Sequence, residues 1–271
     1  ASANFFAASA AAVRPSPRAS PMPQPPETWL ASVASQPSVG TLIYFPFRAR
    51  GEPPHLVAAY MGLRLENSAL PFSEYSWMKR TSPNGLCPWI KMPDGKLLAE
   101  TLDVCLYLAG LASPAGRPLA TTDEAQRKLF DIANTPPLMH WPDNSNPENC
   151  AWLLNMFKWR DAAPKVPAYI SRVMPTLRQL DAQLATTFFA GEDAPGVGDI
   201  GLFATVDMIV TIYPQLFGDD TELPRLKAWY AAMAALPGIA EYLSARPQLG
   251  ARKQGNPGSL MYDGQSASSG S

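Results

Sequence analysis

The chain has 271 residues, 46% of them hydrophobic, and a formal net charge of -1. That length fits one large or two modest globular domains, and the charge gives no electrostatic reason to expect nucleic acid or an anionic membrane as a partner. No apolar run is long enough to span a bilayer: the most apolar segment, Ile200 to Tyr213, is too short, carries Asp207 and reads as a buried helix.

Residues 1–40 read as lying outside any packed core. Alanine and serine lead into a proline-rich stretch from Pro15 to Pro37, and the only charges are Arg14, Arg18 and Glu27. This acid-poor Ala/Ser/Pro composition is that of an organelle transit region or its remnant, and proline makes an extended backbone the expectation over 15–37. From Thr41 the pattern changes. Thr41 to Phe45 is a β-branched and aromatic run, hence a strand. Glu52-Pro53-Pro54 opens a helix where missing N–H groups cost nothing, and Gly62 closes it. Arg64 to Leu70 alternates like a second strand, and 71–80 reads as an irregular or short helical connection. Two short runs flank Pro93-Asp94-Gly95 as a hairpin. Thr101 to Leu111 then carries apolar residues at helical spacing.

Ser113 to Pro118 reads as a linker. Beyond it the pattern is helical only, near 122–135, 149–160, 165–187, 197–213 and 222–244, with a loop over Pro142 to Glu148 and a Gly/Ser/Gln-rich tail from 248. The expected organisation is an extended segment 1–40, a compact α/β unit 41–112, a linker 113–121, an all-helical unit 122–247 and a flexible tail 248–271. Cys87, Cys105 and Cys150 have no metal spacing, and their odd number leaves one unpaired in any disulfide scheme, so reduced thiols are expected. His55 and His140 are too few for a histidine metal site and make a Ser-His-Asp triad an improbable reading. Each reads as a surface or packing residue.

Several separate motifs in this order resemble the glutathione transferases, above all sigma-type members of the glutathione-dependent prostaglandin isomerase kind. They are Tyr44-Phe45 with Arg48-Ala49-Arg50-Gly51-Glu52; Gly85-Leu86-Cys87-Pro88; Asp94-Gly95; Glu100-Thr101 with Tyr107-Leu108; Phe189-Ala190-Gly191 with Asp199-Ile200; and Leu236-Pro237-Gly238-Ile239 with Tyr242-Leu243. The resemblance covers roughly residues 41–247 and implies an α/β thioredoxin-like N-terminal domain followed by an all-α C-terminal domain. It implies glutathione as co-substrate, a small electrophile as second substrate and a homodimer. A thiol of pKa about 8.5 is only a few per cent ionised near neutrality, whereas a phenol of pKa about 10 stays protonated and donates a hydrogen bond to a sulfur anion. The resemblance gives that role to Tyr44, with Phe45 beside it; on its own Tyr44 is an ordinary strand aromatic.

Pro88 resembles the family's cis-proline, which turns the main chain of Cys87 toward the ligand's cysteinyl amide. Glu100 and Thr101 fall at a helix start, where hydroxyl and free N–H groups receive a carboxylate and the acid holds an ammonium, the two ends of a γ-glutamyl group; a plain N-cap is the compatible alternative. Arg50, Trp77 and Lys79 resemble residues that close the site around the glycyl end, with a shifted spacing over 71–84. Asp131 resembles the acid that reaches a partner's ligand across a dimer. Asp199 resembles a capping-box acid that starts a buried helix, with Gly196 where the reciprocal hydroxyl is expected. Two departures bear on function: Leu86 replaces a polar contact, and Asn84 replaces an aromatic dimer anchor. The long low-complexity extensions at both ends set a second reading beside the enzyme, a non-catalytic transferase-fold subunit held by those extensions in a larger plastid assembly of photosynthetic-membrane type. The N-terminal composition points to a plastid, with mitochondrion or cytoplasm as alternatives.

Overall fold

The computed structural model describes residues 26–46, 48–70, 74–139 and 166–246. Phe47, His140, Cys150, the expected loop at 142–148, the expected helix at 149–160 and both terminal tails lie outside the described residues.

A four-stranded sheet of order β2-β1-β3-β4 forms from β1 (Ser38–Tyr44), β2 (Arg64–Ala69), β3 (Trp89–Lys91) and β4 (Leu97–Ala99). β1 and β2 run parallel, while β3 is antiparallel to both β1 and β4. The parallel pair needs a crossover, which α1 (Glu52–Met61) supplies; Gly62 ends it at φ +74°, and Leu63 N–H closes on the Ala58 carbonyl at 2.8 Å. The β3–β4 hairpin closes through Gly95 N–H to the Met92 carbonyl at 2.9 Å and Lys96 N–H to Asp94 Oδ1 at 3.0 Å. Two further helices complete this half, α2 (Tyr75–Thr81) and α3 (Thr101–Ala109).

The remaining described helices are α4 (Glu124–Asn134), α5 (Val166–Gln183), α6 (Val197–Ile212), α7 (Pro224–Ala235) and α8 (Ile239–Ala245). The single helix expected over 222–244 is two helices, because Pro237 cannot continue one and Gly238 turns at φ +82° with its Cα against the Ala59 carbonyl. α6 is buried along nearly its whole length and packs on α4, α1 and α3. It approaches α4 so closely that a Cβ at Gly198 would lie 2.4 Å from the Gln126 carbonyl oxygen, and one at Gly201 2.4 Å from Phe130 Cδ2. None of the described helices is long and apolar enough to cross a membrane.

The start of α6 answers the question raised by Gly196. Asp199 accepts from Gly196 N–H at 3.0 Å, and the missing reciprocal acceptor comes from another helix: Gln126 Oε1 on α4 takes Gly198 N–H at 2.9 Å and Asp199 N–H at 3.2 Å. A Cβ at position 196 would sit 2.2 Å from that Oε1, so glycine is required there for Gln126 to act as the cap. The acceptor that the absent hydroxyl would have supplied is thus replaced by a tertiary contact.

The expectation that 1–40 stands outside the core is corrected for residues 26–40. Leu30 and Val33 are buried, the Glu27 and Asn67 backbones exchange two hydrogen bonds at 2.6 and 2.5 Å on the outer edge of β2, and β1 begins at Ser38. The extended backbone expected from proline content is interrupted by a 3-10 turn at Ala31–Val33, and Trp29, Leu30 and Val33 are apolar enough to cover a sheet edge that would otherwise be open. This segment encloses His55, whose ring lies 6.3 Å from that of Trp29 and stacks at 6.0 Å on Tyr242 of α8. Burial lowers the His55 pKa to about 4, against smaller upward pulls from Glu52 and from its 3.3 Å contact with Asn67.

A pH dependence follows. Because the folded pKa is depressed, the unfolded chain binds the extra proton, and stability falls as pH drops from about 6.5 toward 4. The His55 contribution to that loss is about 3 kcal/mol by pH 4. Urea unfolding of the wild type and of His55→Gln across this window should give a steeper acid loss for the wild type; parallel curves would contradict it.

Candidate functional site

The strand register brings the site together. Ile43 pairs with Trp89 and Trp89 with Ala99, so the C-terminal end of β1, the N-terminal end of β3 and the C-terminal end of β4 lie side by side. Tyr44, Pro88 and Glu100, each at its strand's end, therefore form a row across one end of the sheet.

Tyr44 is 2% exposed, and its carbonyl takes Leu70 N–H at 2.8 Å. Its ring rests on Gly51, where an added Cβ would fall 2.4 Å from Cδ1. The neighbouring Phe45 is also buried and stacks at 6.0 Å on Tyr75, the first residue of α2. Between Phe45 and α1 lies the turn Ala49–Gly51, with Ala49 at φ +41°. Such a backbone in a residue with a Cβ costs about 1–2 kcal/mol and persists only where surrounding contacts hold it.

The Cys87–Pro88 peptide is cis. Burial pushes the Cys87 thiol up to about 12, only partly opposed by the Arg50 guanidinium, so it is neutral at physiological pH and a poor nucleophile. Burial likewise raises Cys105 well above the thiol range. Arg50 also reaches the carbonyl of Asn134, the last residue of α4, at 3.5 Å. Asp131 stands exposed on α4, three residues before Asn134.

Glu100 occupies the N-cap of α3 with φ +70°, a second non-glycine residue in left-handed backbone at this end of the sheet, and Thr101 begins the helix. Asn84 Nδ2 donates to Glu100 Oε1 at 2.6 Å, while Asn84 Oδ1 accepts from Ser82 Oγ and Leu86 N–H, both at 3.0 Å. The position without a dimer-anchor aromatic thus holds an internal strap from the α2–β3 loop to α3. Leu86 is 55% exposed beside it.

On α2 the expected residues divide. Trp77 turns inward and packs at 6.4 Å on Trp89, whereas Lys79 is exposed. Tyr75, four residues before Lys79, shares its helix face and is 43% exposed. Tyr75 was not singled out from the sequence; its i, i+4 spacing to Lys79 is the signal that places the two on one face. Sequence reasoning also missed Gln126, which had no local pattern to reveal it.

Residues 152–232 match the family model "Glutathione S-transferase, C-terminal domain". The chain is 23% identical over 214 residues to the class-mu 28 kDa glutathione S-transferase isozyme of Schistosoma japonicum, covering 76% of this chain and 97% of that protein. Among solved structures, rat hPGDS complexed with a quinoline superposes with a TM-score of 0.56 at 21% identity, covering 77% of this chain and 98% of that one. A glutathione S-transferase of Methylobacillus flagellatus with glutathione bound gives 0.53 at 16%, over 75% and 98%. The fold is the glutathione transferase fold, a thioredoxin-like sheet domain followed by a helical domain. The chain thus shares the fold of the glutathione transferases and carries, over residues 152–232, a match to their C-terminal domain.

Proposed function

We propose that the protein is a glutathione transferase or glutathione-dependent isomerase of sigma-like type in which Tyr44 donates its phenolic hydrogen bond to the glutathione thiolate. The observation that supports this most is the row of Tyr44, Cys87-Pro88 and Glu100-Thr101 across one sheet end. In this reading the Cys87 main chain pairs with the cysteinyl amide, Glu100 takes the ammonium, and Thr101 with the free amides of α3 takes the γ-glutamyl carboxylate. Arg50 and Lys79 stand at the glycyl end, with Tyr75 in the place given by sequence to Trp77. Asp131 serves a second copy if the protein dimerises. The unreactive Cys87 thiol supports a phenol-based rather than a cysteine-based mechanism.

Lowering a thiol pKa by about 2 units takes roughly 3 kcal/mol of selective thiolate stabilisation. Tyr44→Phe should therefore lower conjugation of an aryl halide at neutral pH by about 100-fold while glutathione affinity, measured calorimetrically, changes far less. Unaltered turnover in Tyr44→Phe would remove Tyr44 from the mechanism.

The alternative, a non-catalytic subunit of a larger plastid assembly, draws support from Leu86, an exposed apolar side chain where a polar ligand contact is expected. Truncation to test it should remove only residues 1–25, since 26–40 belong to the fold. Association with the same large particle before and after truncation argues against tail anchoring.

A further inference from the structure

Between the two halves of the chain lies a buried cluster of charges that touches none of the residues assigned to glutathione. Asp207, within α6, accepts at Oδ2 from Arg48 Nη1 at 2.9 Å and Arg246 Nη2 at 2.8 Å, and at Oδ1 from Tyr230 Oη at 2.9 Å. Arg246, at the end of α8, also pairs with Glu52, whose second oxygen takes Tyr242 Oη at 3.0 Å. Thr211 stands 3.4 Å from Arg48 Nη1 and donates to the Asp207 carbonyl at 2.7 Å. The two guanidiniums and two carboxylates balance in charge, and each side chain is no more than 8% exposed. Burial works against the charge on Arg246, but Glu52 and Asp207 more than offset it and raise its pKa. Burial, then Asp207, raises Tyr230.

A buried ion cluster contributes little net stability over well-packed apolar side chains, so its value lies in what it orients. Arg48 and Glu52 flank the turn Ala49–Gly51. Arg48 goes to Asp207 of α6, while Arg50, one residue past the strained Ala49, reaches the end of α4. Gly51 carries the ring of Tyr44. Any shift of the turn therefore moves both Arg50 and the support beneath Tyr44.

We propose that Asp207 is a positioning residue for this site: through Arg48 directly, and through Arg246 and Glu52, it fixes the turn 48–51 from the helical half and so sets where Tyr44 and Arg50 stand. The proposal rests on the reading of Tyr44 as thiolate donor.

The test is Asp207→Asn, which keeps the shape and removes one negative charge. The extra positive charge left behind would by itself favour a thiolate and move the rising limb of the pH–rate profile down. Displacement of the turn moves it up. With saturating glutathione, the expected result is a neutral-pH rate about tenfold lower, the limb raised by about 1 unit and KM within about twofold. In hydrogen exchange, amides of Arg48–Leu56 should exchange faster. Leu180→Ala, a cavity variant in α5, controls for lost stability and should leave both the profile and the exchange of this stretch as in the wild type. A limb that stays or moves down, unchanged exchange over 48–56, or the same changes in Leu180→Ala would overturn the proposal. If the wild type neither binds nor turns over glutathione, the function proposed above fails, and the exchange comparison alone decides the role of Asp207.

Discussion

Asp199→Ala should cost about 4–6 kcal/mol and leave the helical half unfolded or nearly so at ambient temperature. Asp199 is fully buried, and its two oxygens accept from Phe189 N–H at 2.8 Å, Ala190 N–H at 3.1 Å, Gly196 N–H at 3.0 Å and Trp229 Nε1 at 2.9 Å. Burial pushes its pKa up despite those four donors, so the charge itself is held at some expense. What decides the sign is the donors: alanine strands four N–H groups, those of Gly196 and Trp229 in buried surroundings and those of Phe189 and Ala190 partly so, at about 1–3 kcal/mol each, partly relieved by water entering the gap. Against a total stability of about 5–15 kcal/mol this is a large fraction. Asp199→Asn keeps one acceptor oxygen but turns an NH2 toward the remaining donors, so it should fall between the two. Thermal and urea unfolding followed by circular dichroism checks the order; a loss below 1 kcal/mol in the alanine variant would show that the loop 187–196 re-pairs elsewhere.

The α/β unit was legible because its elements are punctuated locally. Pro53-Pro54 and Gly62 bracket α1, and Pro93-Asp94-Gly95 marks the hairpin. Residues 26–40 were not legible, because proline content argues against regular structure without arguing against burial, and Trp29, Leu30 and Val33 find their partners on α1, β2 and α8. The split between α7 and α8 was written in Pro237-Gly238 but masked by apolar periodicity continuing on both sides.

At the site, the row of Tyr44, Pro88 and Glu100 follows from pairing register, which residue types alone do not give. Trp77 packs inward on Trp89 while Tyr75 stands exposed on the face of Lys79, and nothing in either aromatic's identity says which way it faces. Asp207 did carry a clue: a carboxylate inside an otherwise apolar helix must find buried partners. Its partners Arg48 and Arg246 lie 159 and 39 residues away, so only the folded chain names them.

Arg246→Met tests that network's energetics and should cost about 3–5 kcal/mol, the range for breaking a buried ion pair by removing one partner. Glu52 is fully buried and would retain only Tyr242, while Asp207 would keep Arg48 and Tyr230. The loss comes chiefly from an uncompensated carboxylate, so Glu52→Gln placed in the same chain should recover part of it, with a coupling of about 1–3 kcal/mol in a double-mutant cycle. The pH dependence has a definite sign. In Arg246→Met the folded chain takes up a proton at the stranded carboxylate more readily than the unfolded chain does. Its deficit relative to the wild type should therefore shrink as pH falls from 8 toward 5.5, and in the double variant the deficit should be flat over the same range. Urea unfolding of the four proteins at both pH values measures all of this. A deficit in Arg246→Met that stays constant with pH, or a cycle that closes additively, would mean that Arg246 contributes by packing its stem against Tyr242 rather than by its charge.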